Sequence, residues 1–268
     1  MDEEGNIHIL CRRQSLYTRL IIPTQSMDNT RKRPSEQIYS DYTQEDFEVW
    51  KLLYDRQMEF LKGKVADEFI EAIDQVGFTS AEIPHFERVN QRLAESTGWK
   101  IKTVPNIAEA DVFFENLANK TFTATCWLRS MDEIDYLEEP DMFHDVFAHT
   151  PLLSNEAYTE FFQAMGAIAL DVIDDPEKVK MLQRLYWFTI EFGLIQSGED
   201  LKIYGAGIVS SKGESEHALS DDSEKRAYNV EQIMAHDFRT DIIQDTYYVI
   251  ESFDELTSSL PRIKELVA

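Results

Sequence analysis

The sequence predicts a mainly α-helical protein with a few short β-strands, and three observations predict it. Apolar residues recur near the 3.6-residue helical period over 47–61, 65–73 and 158–172. Strict alternation, the pattern of a half-buried strand, is confined to short runs such as 99–104. With 268 residues, 43% of them apolar and 12% aromatic, the chain can build a sizeable core. No break in pattern demands two domains, so residues 37–268 are expected to form one.

Residues 1–36 mix Arg12-Arg13, Arg31-Lys32-Arg33 and polar residues with short apolar runs, and read as a partly ordered N-terminal arm. Thr43 is the expected N-cap of the first helix. Glu45 and Asp46 fall in its first turn, and Phe47, Trp50, Leu53, Met58 and Leu61 make its apolar face. A second helix over 64–76 carries Val65, Phe69, Ile70 and Ile73 and stops at Gly77, the residue type that most readily takes a left-handed C-cap. A third runs over 84–96 with its stop at Gly98, and 99–104 follows as a strand before Pro105. A helix over 109–119 leads to 122–128, rich in Thr and aromatics and therefore read as strand.

Farther on, Asn155 caps a long helix whose stripe is Tyr158, Phe161, Phe162, Met165, Ile168, Ala169 and Val172. Pro176 opens the next helix. Ser197-Gly198-Glu199-Asp200 reads as a hairpin turn before a strand over 201–204, and Gly205-Ala206-Gly207 allows backbone to approach a neighbour closely. Residues 213–222 read as polar loop, 229–235 as a short helix and 246–250 as a strand. Ser252-Phe253-Asp254-Glu255 reads as a capping box for a last helix that Pro261 interrupts or ends.

A formal charge of −24 argues against nucleic acid and anionic membrane as partners, because both select clustered Lys and Arg. No apolar run has the length of a membrane span, and Met1-Asp2-Glu3-Glu4-Gly5 is acidic where a signal peptide is basic. Cys11 and Cys126 make no disulfide framework. The expectation is a cytoplasmic protein, a monomer or a small homo-oligomer.

Two of the six histidines fall within Pro140-Asp141-Met142-Phe143-His144-Asp145-Val146-Phe147-Ala148-His149-Thr150-Pro151-Leu152-Leu153. A spacing of five places them about 140° apart round an ideal α-helix, so a shared target requires an imperfect one. Thr150 precedes Pro151, and a residue before proline is pushed out of the α region. The helix is therefore expected to finish at His149, its last turn swinging that imidazole round.

Two imidazoles and a carboxylate from elsewhere leave coordination positions open for substrates, as in non-haem iron oxygenases. The other reading makes both ordinary polar residues, one capping and one satisfied in the core, and the zinc-protease spacing H-E-x-x-H is not met. Glu191 lies in the otherwise apolar run Trp187-Phe188-Thr189-Ile190-Glu191-Phe192-Gly193-Leu194, where a buried carboxylate calls for a metal or a salt bridge. Arg129, fifteen residues before His144, suits bidentate capture of a carboxylate or a pair with a neighbour such as Asp132.

Residues 140–153 do not stand alone. Together with Tyr42-Thr43-Gln44-Glu45-Asp46, Thr97-Gly98-Trp99, the stretch 122–153, Tyr186 through Leu194, Tyr204-Gly205-Ala206-Gly207 and 247–253, all in order, the chain from about 37 to about 260 resembles the pterin-dependent aromatic amino acid hydroxylases. Within that family the likeness is greatest to the bacterial members acting on phenylalanine. The resemblance implies the aromatic amino acid hydroxylase catalytic-domain fold, with 37–268 as the single catalytic domain. It implies Fe(2+) and, as cosubstrate, tetrahydrobiopterin or a related tetrahydropterin. The partners are then small molecules: an aromatic amino acid, O2 and the tetrahydropterin. The implied reaction is hydroxylation of L-phenylalanine to L-tyrosine.

The resemblance also assigns residues. His144, His149 and Glu191 match the metal ligands and catalytic centre, and Arg129 the holder of the substrate carboxylate. Trp187, Phe192, Pro140 and the Ser210-Ser211 pair match the walls and polar floor of the substrate pocket. Phe113 matches the ring on which pterin stacks, Tyr186 a second pterin-side aromatic, and Asp145 an acid reaching pterin through water; as residues, Phe113 and Tyr186 read equally well as core. There are three departures from the pattern. Asn106 replaces a glycine of the pterin loop, Ala148 the glycine before the second iron histidine, and Lys120-Thr121 an Arg-Arg pair. Alanine replaces glycine without strain where φ is negative, so iron binding is expected to survive.

Animal members carry a regulatory domain before the catalytic one and a tetramerisation helix after it, neither of which is expected in this length. The competing readings are hydroxylation of tryptophan or at another ring position, a zinc hydrolase with Asp145 as base, and a non-catalytic metal-binding homologue. Trp187 matches the members acting on phenylalanine and tyrosine.

Overall fold

The computed structural model describes residues 32–268 apart from 107, 108, 136 and 138. Most of the expected arm, with Cys11, lies outside the described residues. Its last residues pack on the domain: Arg33 donates to the Asn106 side chain at 2.7 Å, pairs with Glu139 and lies 5.2 Å from the Trp127 ring.

Helix α1, Gln44–Leu61, begins as the sequence predicts, with Thr43 Oγ1 accepting the Asp46 N–H and the Asp46 carboxylate accepting the Thr43 N–H. Helix α2, Asp67–Val76, starts three residues later than the periodicity suggests. Residues before it are drawn into a β-like tie, with Ile203 N–H donating to Lys64 O at 2.9 Å and Ala66 N–H to Ile203 O at 2.8 Å. It ends at Gly77, whose φ of 71° is the left-handed cap.

Helix α3, Phe86–Ser96, leads to β1, Lys100–Thr103, which pairs in parallel with β2, Thr121–Ala124, across α4, Ala110–Ala118. The strand expected over 122–128 therefore stops early, although Thr125, Cys126, Trp127 and Leu128 stay buried.

Helix α5, Glu156–Asp171, is capped by Asn155, and α6, Pro176–Tyr186, by Asp175. A second sheet has four strands, in the spatial order 200–203, 193–197, 246–250 and 224–227. Strands β3, Gly193–Ser197, and β4, Asp200–Ile203, form the expected hairpin, while β6, Thr246–Ile250, runs parallel to both β3 and β5, Glu224–Ala227. After the short α7, Ala206–Val209, the stretch expected as loop contains a helix, α8, Lys212–Ala218, capped by Ser211. Its buried side is only Glu214, Ser215 and Ala218, so no apolar stripe announces it.

Helix α9, Val230–Ala235, has its expected Asn229 cap. The last helix is two, α10, Phe253–Ser258, and α11, Leu260–Val267, with Pro261 in the first turn of the second. The capping box at Ser252 does not form. Ser252 caps nothing with its side chain, and Glu255 instead accepts the Glu251 N–H at 2.7 Å.

One hydrophobic cluster runs through the whole domain, and its largest fully buried side chains are aromatic, among them Trp50, Phe69, Phe114, Phe143, Phe147, Phe161 and Phe162. Phe143 stacks on Phe147 at 4.5 Å, and Trp99 on Phe162 at 5.5 Å. The segment carrying both histidines is thus embedded in the core. No helix among the described residues is long and apolar enough to cross a membrane.

Candidate active site

Phe143–His149 is a π-helix. Its hydrogen bonds run from i to i+5, so residues five apart stack on one face, and the two imidazoles that an α-helix would separate converge with 3.2 Å between their Nε2 atoms. The imperfect helix is as the spacing requires, but the reason offered for it is not. Thr150, at φ −65° and ψ −36°, stays in the α region despite the proline after it, and the chain continues into a 3-10 turn over Pro151–Ser154. Thr150 is wholly buried and its N–H donates to Val146 O at 3.2 Å; Pro151 takes the first position of the next turn, where a missing N–H costs nothing. Among the described residues Lys120 alone is a non-glycine with positive φ, so Ala148 sits unstrained.

Glu191 comes from a second π-helical segment, Trp187–Glu191, which continues α6. Its carboxylate oxygens lie 3.1 Å from His149 Nε2 and 3.6 Å from His144 Nε2, and the three donor atoms fall within 4.8 Å of one another. Gly205 makes this possible. A Cβ there would meet Glu191 O at 2.4 Å and Gly193 N at 2.5 Å, so the Tyr204-Gly205-Ala206-Gly207 backbone packs directly on the main chain that carries the acid.

The protonation states favour metal binding. Ser210 Oγ donates to Ala206 O at 2.9 Å and lies 2.9 Å from His144 Nδ1, so it accepts from an Nδ1–H and leaves Nε2 with its lone pair free. Burial pushes His144 down to about 4, against the opposing charge of Glu191, which keeps the ring neutral. For Glu191 burial acts upward, but the facing His149 and His144 and a hydrogen bond from Tyr186 outweigh it and hold the carboxyl down at about 2. His149 Nδ1 is buried without a hydrogen-bond partner. Two imidazole nitrogens and one carboxylate on one side of a metal are the donor set suited to ferrous iron with open positions.

Arg129 follows β2, and its partner is Asp141 rather than Asp132. Its Nε and Nη2 fork onto the two Asp141 oxygens at 2.9 Å each, with Nη1 outside both bonds. Asp141 has no exposed surface, and its Oδ1 also accepts the Phe143 N–H at 3.1 Å and the His144 N–H at 3.4 Å. The pair therefore braces the start of the π-helix that presents His144. Pro140, half-buried, precedes it.

Trp187 and Phe192 pack ring against ring at 4.6 Å. The Ser210 hydroxyl is committed to His144 and Ala206, and Ser211 accepts the Glu214 N–H as the cap of α8, so these serines support the site's framework. Phe113 meets Tyr186 edge to face at 5.5 Å, both nearly buried, and the Tyr186 hydroxyl reaches Glu191. Asp145 Oδ2 accepts from Thr125 N–H at 2.7 Å and from its hydroxyl at 2.8 Å, while burial lifts its pKa to about 6. Of the departures, Asn106 bonds Arg33, and Lys120, at φ 52°, donates to Thr97 O at 3.1 Å.

Two residues that sequence reasoning missed join the site. Asp141 had a signal, since it stands inside the histidine segment; Gln244, which accepts the Trp187 Nε1–H at 3.0 Å, had none.

Comparison with known proteins places the chain in context. Residues 21–267 match the family described as biopterin-dependent aromatic amino acid hydroxylase. The chain is 44% identical over 241 residues to phenylalanine-4-hydroxylase of Ralstonia nicotianae, covering 87% of this chain and 75% of that one. It is 44% identical over 221 residues to the Chromobacterium violaceum phenylalanine-4-hydroxylase, covering 80% and 72%. The crystal structure of phenylalanine hydroxylase from C. violaceum with bound oxidized Fe(III) superposes with a TM-score of 0.83 at 38% identity, covering 95% of this chain and 92% of that one.

Proposed function

The chain belongs to the biopterin-dependent aromatic amino acid hydroxylases, and from that membership we propose that it is an iron-dependent monooxygenase that uses a tetrahydropterin and O2 to convert L-phenylalanine to L-tyrosine. The observation that carries the reading is the convergence of His144, His149 and Glu191 within 4.8 Å, in a chain whose bacterial relatives are named phenylalanine-4-hydroxylase.

His144, His149 and Glu191 would hold the iron, and iron with a reduced pterin would supply the dioxygen activation, one oxygen atom going to the aromatic ring and the other to the pterin. The chain's own share is holding, orienting and excluding water. Ser210 keeps His144 in the tautomer whose Nε2 faces the metal, and Tyr186 steadies Glu191. Arg129, fixed by Asp141, receives the amino acid's carboxylate through its remaining Nη1. Trp187, Phe192 and Pro140 wall the ring. On the other side Phe113 offers its face to the pterin with Tyr186 beside it, and Asp145 reaches the pterin through water by the oxygen that Thr125 does not occupy.

The catalytic domain in this reading is 37–268, preceded by the arm 1–36, acting in the cytoplasm as a monomer or small homo-oligomer. The buried free thiol of Cys126 suits a reducing compartment, and the charge of −24 suits neither nucleic acid nor anionic membrane.

The test is direct. The purified protein is incubated in air with ferrous iron, a tetrahydropterin and each aromatic amino acid, and products are identified by mass and chromatographic position. Tyrosine that requires pterin, is lost to an iron chelator and is restored by ferrous iron but not zinc is the expected result. No pterin-dependent product from any amino acid overturns the enzyme reading, and preferential hydroxylation of tryptophan overturns the substrate.

A further inference from the structure

The Trp187 ring packs against Phe238, stacked at 4.5 Å and 13°, and against Phe192, at 4.6 Å and 39°. Aromatic faces hold an indole in a slot without deciding which of its edges points inward, because the second side-chain torsion of tryptophan is roughly two-fold. The polar edge decides it. Trp187 Nε1–H donates to Gln244 Oε1 at 3.0 Å.

The Gln244 side chain is held at both ends of its amide. Its Nε2 donates to Arg239 O at 2.8 Å and Ile242 O at 2.9 Å, so two carbonyls and one N–H leave a single orientation for the amide. Gln244 is 5% exposed, and its own N–H donates to Glu214 Oε1 at 3.2 Å, while Glu214 Oε2 accepts the Tyr247 hydroxyl at 2.6 Å. Glu214 belongs to α8, whose cap Ser211 follows the Ser210 that orients His144. One short segment therefore reaches a metal-ligand candidate on one side and, through Gln244, the aromatic wall on the other.

We propose that Gln244 is a positioning residue that fixes the inward edge of Trp187, and with it the shape offered to the substrate ring, with Glu214 anchoring Gln244 in place. The proposal rests on Trp187 being a wall of the substrate pocket. Gln244→Met keeps the volume and removes both acceptor and donors. It is expected to raise KM for phenylalanine about two- to tenfold, the range of one neutral hydrogen bond, with kcat within about twofold and iron content unchanged.

In a Trp187→Phe background, which has no indole N–H, the same change should add little. Independently of turnover, the Trp187 indole N–H resonance, assigned by its loss in Trp187→Phe, should shift and exchange faster with water in Gln244→Met. Gln244→Asn, one methylene shorter, withdraws the acceptor while keeping an amide and takes the place of Gln244→Met if that variant does not fold. An unchanged indole resonance, or an equal KM loss with and without the Trp187 indole, overturns the proposal. A wild-type protein that hydroxylates no amino acid would overturn the function proposed above, and the resonance would still decide the role of Gln244.

Discussion

One hydroxyl determines which nitrogen of His144 is free. Ser210→Ala removes the acceptor for Nδ1–H, so the other tautomer and other ring orientations become accessible; iron affinity should fall about 10- to 100-fold, read by metal titration, with the helical content intact. Replacing a ligand goes further. His144→Ala, His149→Ala or Glu191→Ala each removes one of three protein donors, and each should strip both iron and activity; full activity in any one means a wrong triad. Arg129→Lys keeps the charge but cannot fork. KM for phenylalanine should rise more than about tenfold, and because Asp141 is wholly buried the melting temperature should fall as well, whereas an unchanged KM would leave Arg129 a structural residue only. The ligand candidates were legible because their residue types and surrounding motifs are distinctive. Their supports were less so: Ser210 lies 66 positions from His144, and the Asp141 partner of Arg129 is chosen by the fold rather than by proximity in sequence.

At the scale of elements, the five-residue spacing of His144 and His149 excludes a regular α-helix as their common platform, and the structure answers with a π-helix. What the spacing could not convey is that Glu191 sits at the end of a second π-helical segment, because a lone acid has no internal spacing to read. Local rules failed where burial outweighed them, as at Thr150, held in the α region in a wholly buried turn, and in α8, where polar residues fold onto a small buried face. Gly205-Ala206-Gly207 is a point of close approach, as its composition predicts, and it gives a sharp test. In Gly205→Ala the added methyl would lie 2.4 Å from Glu191 O and 2.5 Å from Gly193 N, both backbone atoms that cannot swing aside. The 204–207 segment and the 191–193 main chain must then separate, so the variant should lose iron affinity and melt lower together. Retention of both would mean that the segment slides without disturbing the acid.

For the whole molecule, helical periodicity and aromatic content sufficed to indicate a mainly helical domain, since both report the core directly. Strand β5, Glu-Lys-Arg-Ala, was hidden because an edge strand of charged residues lacks alternation. A charge of −24 makes self-repulsion a term in the stability of the entire fold, one that grows as carboxyls ionise and shrinks with added salt. Glu214 adds a local contribution of the same sign. Burial lifts its pKa from 4.5 to about 7, against the hydrogen bonds it accepts from Tyr247 and Gln244. The folded protein therefore holds a proton there that the unfolded chain releases, and the stabilisation is complete below about 4.5 and lost as pH rises to about 7. Its full worth is on the order of 3 kcal/mol. Wild type and Glu214→Gln share nearly all of the global repulsion, so the difference between their melting temperatures across pH 4.5 to 7.5 isolates the single carboxyl. The wild type should lose its advantage, or acquire a deficit, as pH rises, while the variant follows only the shallower global slope. Parallel curves would mean that Glu214 titrates as an ordinary carboxyl.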